Sequence, residues 1–255
     1  MAQLSGRPLV IAHRGHSAGA PEQTMAAFGL AVELGADMIE ADVRRARDGR
    51  LVMLHDATVD RTTDGCGAVA ELSSAELARL DAGAWFGARF AGERIPSLEE
   101  VFELAEGTGI GLCLEAKGRS PDDYASTAVE VGREIARRGR TRLDVLASFD
   151  HESLAAAAAA VPGLRCAPDR LPERGPSDGE AVAAQARAAR ATIVQHHHED
   201  LTEAVVEELH RAGIEVWAWP PETVQEVDRL LEMEVDAVMG DDVELIRTAV
   251  LDRTA

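Results

Sequence analysis

Lysine is almost missing from this 255-residue chain. Lys and Arg together number 26, and Lys117 is the single lysine among them. A guanidinium is a planar fork suited to bidentate pairing, whereas an ammonium is a compact point charge. A lone ammonium in an arginine-biased chain therefore singles out its neighbourhood, "GLCLEAKGRS". Cysteine is also scarce. Cys66, Cys113 and Cys166 form no CxxC pair and no zinc-ligand spacing, which excludes a disulfide framework and a zinc ribbon. Such scattered thiols suit small core positions in a reducing compartment. Long apolar runs are absent. "MAQLSGRPLVIAHRG" holds none of the length of a secretory signal, and no segment approaches a membrane span. The expectation is a cytoplasmic protein with no membrane insertion. Positive charge is outweighed to a formal net −19, which repels nucleic acid and anionic lipid surfaces. No G-x-G-x-x-G follows the first apolar run, which argues against a dinucleotide site.

What remains is ordered. Hydrophobic residues make up 46% and charged residues 28%, the balance of a globular protein with a substantial core. Short β-type runs alternate with amphipathic helical stretches along the whole chain. "PLVIAHRG" reads as a strand and "QTMAAFGLAVELG" as a helix closed by Gly35. "SLEEVFELAEG" starts with Ser97 and Glu100 in capping-box spacing. Main strands are expected to start near residues 9, 37, 110, 142, 163, 191, 214 and 235. Eight β/α units in roughly 250 residues match a (β/α)8 TIM barrel better than a doubly wound sheet. One irregular stretch, about 57–95, reads as an insertion between the second strand and second helix, preceded by a short extra strand, "RLVMLHD". No break in composition divides residues 1–255 into two domains.

In a barrel of this type, chemistry gathers at the C-terminal strand ends. There the sequence places His13 and Arg14, Glu40 and Asp42, His55 and Asp56, and Glu115 and Lys117. Residues two apart on a strand face the same way, so Glu40 with Asp42, and Glu115 with Lys117, point together toward the axis. Three converging carboxylates repel one another unless a cation joins them. An all-oxygen donor set calls for a hard divalent ion, magnesium or calcium. The two histidines are then best spent on proton transfer near neutral pH.

These residues carry a resemblance. "AHRGHSAGAPEQTMAAFGLAVELGADMIEADVRRARDGRLVMLHDATVDRTTDG" resembles the glycerophosphodiester phosphodiesterase family, whose pattern is His-Arg-Gly, Pro-Glu-Asn-Thr, Glu-x-Asp, then His-Asp before Arg-Thr-Thr. "IPSLEEVF", "LEAKG" and "ASFDHESL" continue it. The specific match covers about the first 150 residues, and the rest agrees in layout. The resemblance implies a TIM barrel that hydrolyses glycerophosphodiesters to an alcohol and sn-glycerol 3-phosphate with a divalent metal, magnesium, calcium or manganese. It implies Glu40, Asp42 and Glu115 as metal ligands, His13 and His55 as the acid/base pair, and Arg14 and Lys117 on the phosphate of a small-molecule diester. The chain departs from the family pattern at Gln23 (for Asn), at Trp219-Pro220-Pro221-Glu222 (for Trp-Thr-Val-Asn) and at Gly240-Asp241-Asp242-Val243 (for Thr-Asp-x-Pro). These changes are expected at the far side of the mouth, with Trp219 and Glu222 beside the alcohol part of a cationic or polyhydroxyl substrate.

Other features have plainer readings. His16 is expected at the surface. Of His196, His197 and His198, adjacent strand residues that cannot all face inward, one is expected on the substrate side. Trp85 and Phe86 read either as a hydrophobic lid or as packing of the insertion. Asp56, Arg61 and Thr62 are expected to hold the loop after His55. Two alternatives stay open: a metal-dependent lyase or aldolase using Lys117 as base or Schiff-base amine, and a non-catalytic barrel that binds a phosphodiester.

Overall fold

The computed structural model describes residues 7–170 and 178–253. Eight parallel strands close into a barrel: β1 (Leu9–Ala12), β2 (Met38–Arg45), β4 (Gly111–Ala116), β5 (Val145–Ser148), β6 (Arg165–Arg170), β7 (Ile193–His197), β8 (Glu215–Trp219) and β9 (Ala237–Gly240). β1 pairs with both β2 and β9, which removes the sheet edges. The short β3 (Leu51–Met53) runs antiparallel to β2 outside the barrel. Helices follow the strands: α1 (Met25–Glu33), α3 (Leu98–Thr108), α4 (Pro121–Arg137), α5 (His151–Ala160), α6 (Gly179–Ala188), α7 (Glu203–Arg211), α8 (Val224–Glu232) and α9 (Val243–Asp252). The expected (β/α)8 TIM barrel is the observed fold. No helix among the described residues is long and apolar enough to cross a membrane.

Local chemistry sets these boundaries. The Ser97 hydroxyl accepts the Glu100 N–H at 3.3 Å, and Glu100 accepts the Ser97 N–H at 2.8 Å, the anticipated capping box of α3. Gly35, just beyond α1, holds φ +77°, a left-handed conformation that closes the helix. The alanine run of α5 presents a thin buried face, Ser153, Leu154 and Ala157.

Alternation along each strand divides the core in two. Outward residues such as Val10, Ile39, Leu112, Leu146 and Val194 pack against the helices. Inward residues fill the barrel: Ile11, Met38, Cys113, Val145, Ala147, Ala167, Ile193, Trp217, Ala237 and Met239. Trp217 is fully buried within this filling. The barrel interior is therefore packed below its mouth, and any reactive cavity has to lie above that floor.

The insertion between β3 and α3 has a core of its own, built on Val52, Leu54, Val59, Val69, Leu77, Ala82 and Ile95. It contains α2 (Ser74–Leu77), one turn that the irregular reading of 57–95 omits. Its capping box, Ser73 with Glu76, has the same Ser-x-x-Glu spacing that marks α3. The Asp81 carboxylate holds the following loop by accepting the N–H groups of Gly83, Ala84 and Gly92. Trp85 packs edge-on to Phe86, and Phe86 edge-on to Phe90. These rings pack the insertion, and neither Trp85 nor Phe86 lines the cavity at the mouth.

Candidate active site

The barrel's mouth opens into a cavity of about 290 Å³, lined by His13, Arg14, Glu40, His55, Glu115, Lys117, Phe149, Asp169, Gln195, Trp219 and Met239. Its floor carries the carboxylate cluster. Asp42 and Glu115 stand side by side on β2 and β4, and Glu40 is two residues below Asp42 on the same face. The three are buried at 3%, 1% and 8% exposure for Glu40, Asp42 and Glu115. One oxygen from each lies within 4.8 Å of the others.

Their electrostatics follow from that crowding. Burial, reinforced by the charges of Asp42 and Glu115, pushes Glu40 well above the usual carboxylate range. Burial also raises Glu115, to about 7, with Lys117 opposing and Asp42 adding to the rise. Burial opposes ionisation of Asp42 too, but Lys117 and Arg14 beside it outweigh that and hold it well below the usual range. Without a further cation the three carboxylates cannot all ionise near neutral pH: Glu40 and Glu115 are pushed toward their protonated forms. A buried, all-oxygen cluster whose ionisation is suppressed by crowding fits a hard divalent cation, which would let all three carboxylates ionise.

Lys117 Nζ lies 2.6 Å from Glu115 and 3.0 Å from Asp42, because both carboxylates share its face at one level of the barrel. Burial opposes its charge, but those two partners raise its pKa above the ordinary lysine value. An amine held protonated in this way is no Schiff-base nucleophile near neutral pH, which removes the support for the aldolase alternative.

A sharp turn after β1 brings Arg14 into place. Arg14 adopts φ +57° and Gly15 φ +82°. The Arg14 N–H donates to Glu40 at 2.9 Å, and its guanidinium to Glu22 at 3.0 Å. A Cβ at Gly15 would lie 2.6 Å from the Ala27 carbonyl carbon on α1, so only glycine fits. Gly15→Ala should therefore cost about 2 kcal/mol or more, a Tm drop of roughly 5 °C, readable by thermal denaturation. Gln23, the departure from Asn, also sits at positive φ, +59°. Its longer side chain still donates to Asp42 at 2.8 Å.

Each histidine has its own carboxylate. His55 Nδ1 lies 2.7 Å from Asp56, and His13 Nδ1 lies 2.7 Å from Asp241. A carboxylate only accepts, so each Nδ1 carries the proton and each Nε2 is the nitrogen left for other chemistry. Asp56 is held in turn by Arg61 at 2.6 Å, and Arg61 by Glu22 at 2.7 and 2.9 Å. An unbroken chain of ion pairs thus runs from Arg14 through Glu22, Arg61 and Asp56 to His55. Arg61, then His55, hold Asp56 down to about 2. Burial, with Arg14 and Lys117 nearby, lowers the pKa of His55 despite the opposing charge of Asp42. The His55 carbonyl is fixed by two N–H groups of Arg44, at 2.9 and 2.6 Å.

Several expectations need correcting. Glu222 is exposed and does not line the cavity. The chain has left the mouth by Pro221, and the Glu222 N–H donates to Glu226 at the start of α8. The end of β9 is not at the far side of the mouth: barrel closure sets it against β1, with the His13 N–H donating to the Gly240 carbonyl at 3.0 Å. His16 is not a surface residue but 8% exposed, and its Nδ1 accepts the Val243 N–H that opens α9. Of the histidine triplet, His196 and His198 are buried, and none of the three lines the cavity. His197 instead packs edge-on against Trp219, with ring centroids 5.1 Å apart. Trp219 does line the cavity, against Phe149 at 5.9 Å, and its buried indole N–H has no partner among the described residues.

Sequence reasoning missed Phe149, Asp169 and Gln195. The signal was present: each lies two residues beyond an inward-facing core position, Ala147, Ala167 or Ile193. The same two-residue rule that selected Glu40 and Asp42 reaches them too.

Comparison with known proteins agrees with this geometry. Residues 13–245 match the model of the glycerophosphoryl diester phosphodiesterase family. The Bacillus subtilis protein YhdW is 36% identical over 234 residues, 91% of this chain and 93% of the relative. A glycerophosphodiester phosphodiesterase of Caldanaerobacter subterraneus is 35% identical over 240 residues, 94% of this chain and 96% of the relative. Among solved structures, a phosphodiesterase of Oleispira antarctica in complex with the product sn-glycerol-3-phosphate superposes with TM-score 0.87 at 30% identity, covering 98% of this chain and 99% of that one.

Proposed function

This chain belongs to the glycerophosphoryl diester phosphodiesterase family, and from that premise we propose that it hydrolyses glycerophosphodiesters to an alcohol and sn-glycerol 3-phosphate with the help of a divalent cation. The observation that carries the reading is the meeting in one cavity of a buried three-carboxylate cluster, Arg14, Lys117 and two histidines that each have Nε2 free of the carboxylate.

Glu40, Asp42 and Glu115 would hold the cation, and its chemistry there is to polarise a phosphoryl oxygen and offset charge. Magnesium, calcium and manganese all suit the donor set. Arg14 and Lys117 border the same space. A phosphodiester monoanion gains negative charge on the way to its transition state, so fixed cations favour that state over the bound substrate. Arg14 is pre-organised by Glu22 and by its own strained turn. One histidine, neutral with Nε2 unprotonated, removes the proton of the attacking water or substrate hydroxyl. The other, as an imidazolium protonated on both nitrogens, donates its Nε2 proton to the leaving alkoxide. The packed floor at Trp217 and Met239 keeps bulk water from the barrel side. Trp219 and Phe149 offer an apolar wall for the carbon face of the alcohol, and the Trp219 indole N–H, without a partner among the described residues, a donor for a substrate oxygen.

The test is a panel of glycerophosphodiesters of different head groups, each assayed with chelator and with each cation restored. Release of sn-glycerol 3-phosphate and the free alcohol in equal amounts is the expected result. Tight binding of the diesters with no product in the presence of any of the cations would favour the non-catalytic barrel.

A further inference from the structure

We infer that Asp241 is a positioning residue for His13, fixing the ring with Nδ1 protonated and Nε2 turned to the cavity; the inference rests on the phosphodiesterase reading above. Asp241 Oδ1 lies 2.7 Å from His13 Nδ1. The backbone locks both partners. The His13 N–H donates to the Gly240 carbonyl at 3.0 Å, and the Ala18 N–H to the Asp241 carbonyl at 3.1 Å. The Ser17 hydroxyl donates to the His13 carbonyl at 3.0 Å. Closure of β9 onto β1 therefore sets the register of the pair, although 228 residues separate its members.

Two neighbouring acids divide the work at this strand end. The Asp242 side chain accepts the Leu245 N–H at 3.0 Å and caps α9, while Asp241 faces His13. The arrangement mirrors His55 with Asp56, but with a difference. Asp56 is tied down by Arg61, whereas the Asp241 side chain is 61% exposed. An exposed carboxylate contributes little packing, so removing its charge leaves the fold intact. What it supplies is the tautomer. A neutral imidazole carries its proton on either nitrogen, and an acceptor at Nδ1 selects the form with Nε2 unprotonated. An amide at 241 can donate to Nδ1 instead and reverse that choice, the loss seen when the carboxylate of a histidine–carboxylate pair is made neutral.

The experiment compares Asp241→Asn, His13→Ala, the double variant and Asp242→Asn. Asp242→Asn makes the same change of charge one residue away and keeps a good helix cap. Asp241→Asn should lower kcat about 10- to 100-fold, below the cost of losing the histidine itself, with KM nearly unchanged. It should add nothing to His13→Ala. Asp242→Asn should retain the wild-type rate. Nitrogen NMR of the ring-labelled protein, with the His13 signals assigned by the His13→Ala variant, should show Nδ1 protonated in the wild type and the tautomers redistributed in Asp241→Asn. Wild-type-like kcat in Asp241→Asn, a full further loss on top of His13→Ala, or an unchanged His13 tautomer would each overturn the inference. The NMR result does not require turnover. A wild-type protein without hydrolytic activity would therefore count against the phosphodiesterase reading, and an unchanged tautomer against Asp241 alone.

Discussion

His13→Ala and His55→Ala should each lower kcat on a glycerophosphodiester by about 10²–10⁴-fold, the range expected when a positioned proton donor or acceptor is removed. The two losses should not multiply in the double variant, because both groups serve one proton-transfer sequence. KM should change little, since Arg14 and the carboxylate cluster remain. The pH–rate profile separates the two residues. Burial, helped by Arg14 and Lys117, lowers the pKa of His55, so its neutral form persists below the ordinary histidine midpoint. The limb of the profile that belongs to His55 should lie on the acid side of 6.5. His55→Ala should abolish that limb, and steady-state kinetics across pH reads it directly.

The second large effect belongs to the cation. Chelation should reduce turnover to background, and it should also change how stability depends on pH. Glu115 has a folded pKa of about 7 against an ordinary 4.5. The folded state therefore binds more protons than the unfolded state between those values. The stability that Glu115 contributes is greatest below about 4.5 and falls as pH rises toward 7, the sign for a carboxylate whose pKa is raised by burial. Glu40 shifts in the same direction. Asp42, held low by Lys117 and Arg14, acts oppositely, but only at more acid pH. His55, His196 and His198, lowered by burial, act oppositely in the same window. In scanning calorimetry of chelated protein the wild type should therefore lose Tm from pH 5 to 7 relative to Glu115→Gln, which lacks the carboxylate titration and keeps the histidines. Added magnesium, calcium or manganese should raise Tm most at pH 7, where the uncompensated charge is largest. A chelated wild type that loses no Tm relative to Glu115→Gln over that interval would count against the crowded, cation-seeking cluster.

Much of this was legible in the sequence because it is local. Helix starts were marked by Ser97 with Glu100, and a helix end by Gly35. The two-residue alternation placed Glu40 with Asp42 and Glu115 with Lys117. What the sequence hid was closure. Asp241 and His13 lie at opposite ends of the chain, and only the pairing of β9 with β1 makes them neighbours. The same closure sets the end of β9 beside His13 and not at the far side of the mouth. Glu222 failed for the complementary reason: three residues past the end of β8 the chain already leads into the start of α8, where the Glu222 N–H donates to Glu226. The ion pair of Lys117 with Asp42 was hidden too, since sequence spacing gives direction and not the distance to the next strand. Glu22 was visible within Pro-Glu-Gln-Thr, but its two guanidinium partners come from different loops.

The central claim is that one cation-holding carboxylate cluster and two histidines make this barrel a phosphodiesterase. It is tested most directly by titrating a divalent cation into chelated protein and following sn-glycerol 3-phosphate release, in parallel with Asp42→Asn. The account predicts saturable recovery in the wild type and almost none in the variant. Full release by the chelated wild type, or equal recovery in Asp42→Asn, would contradict it.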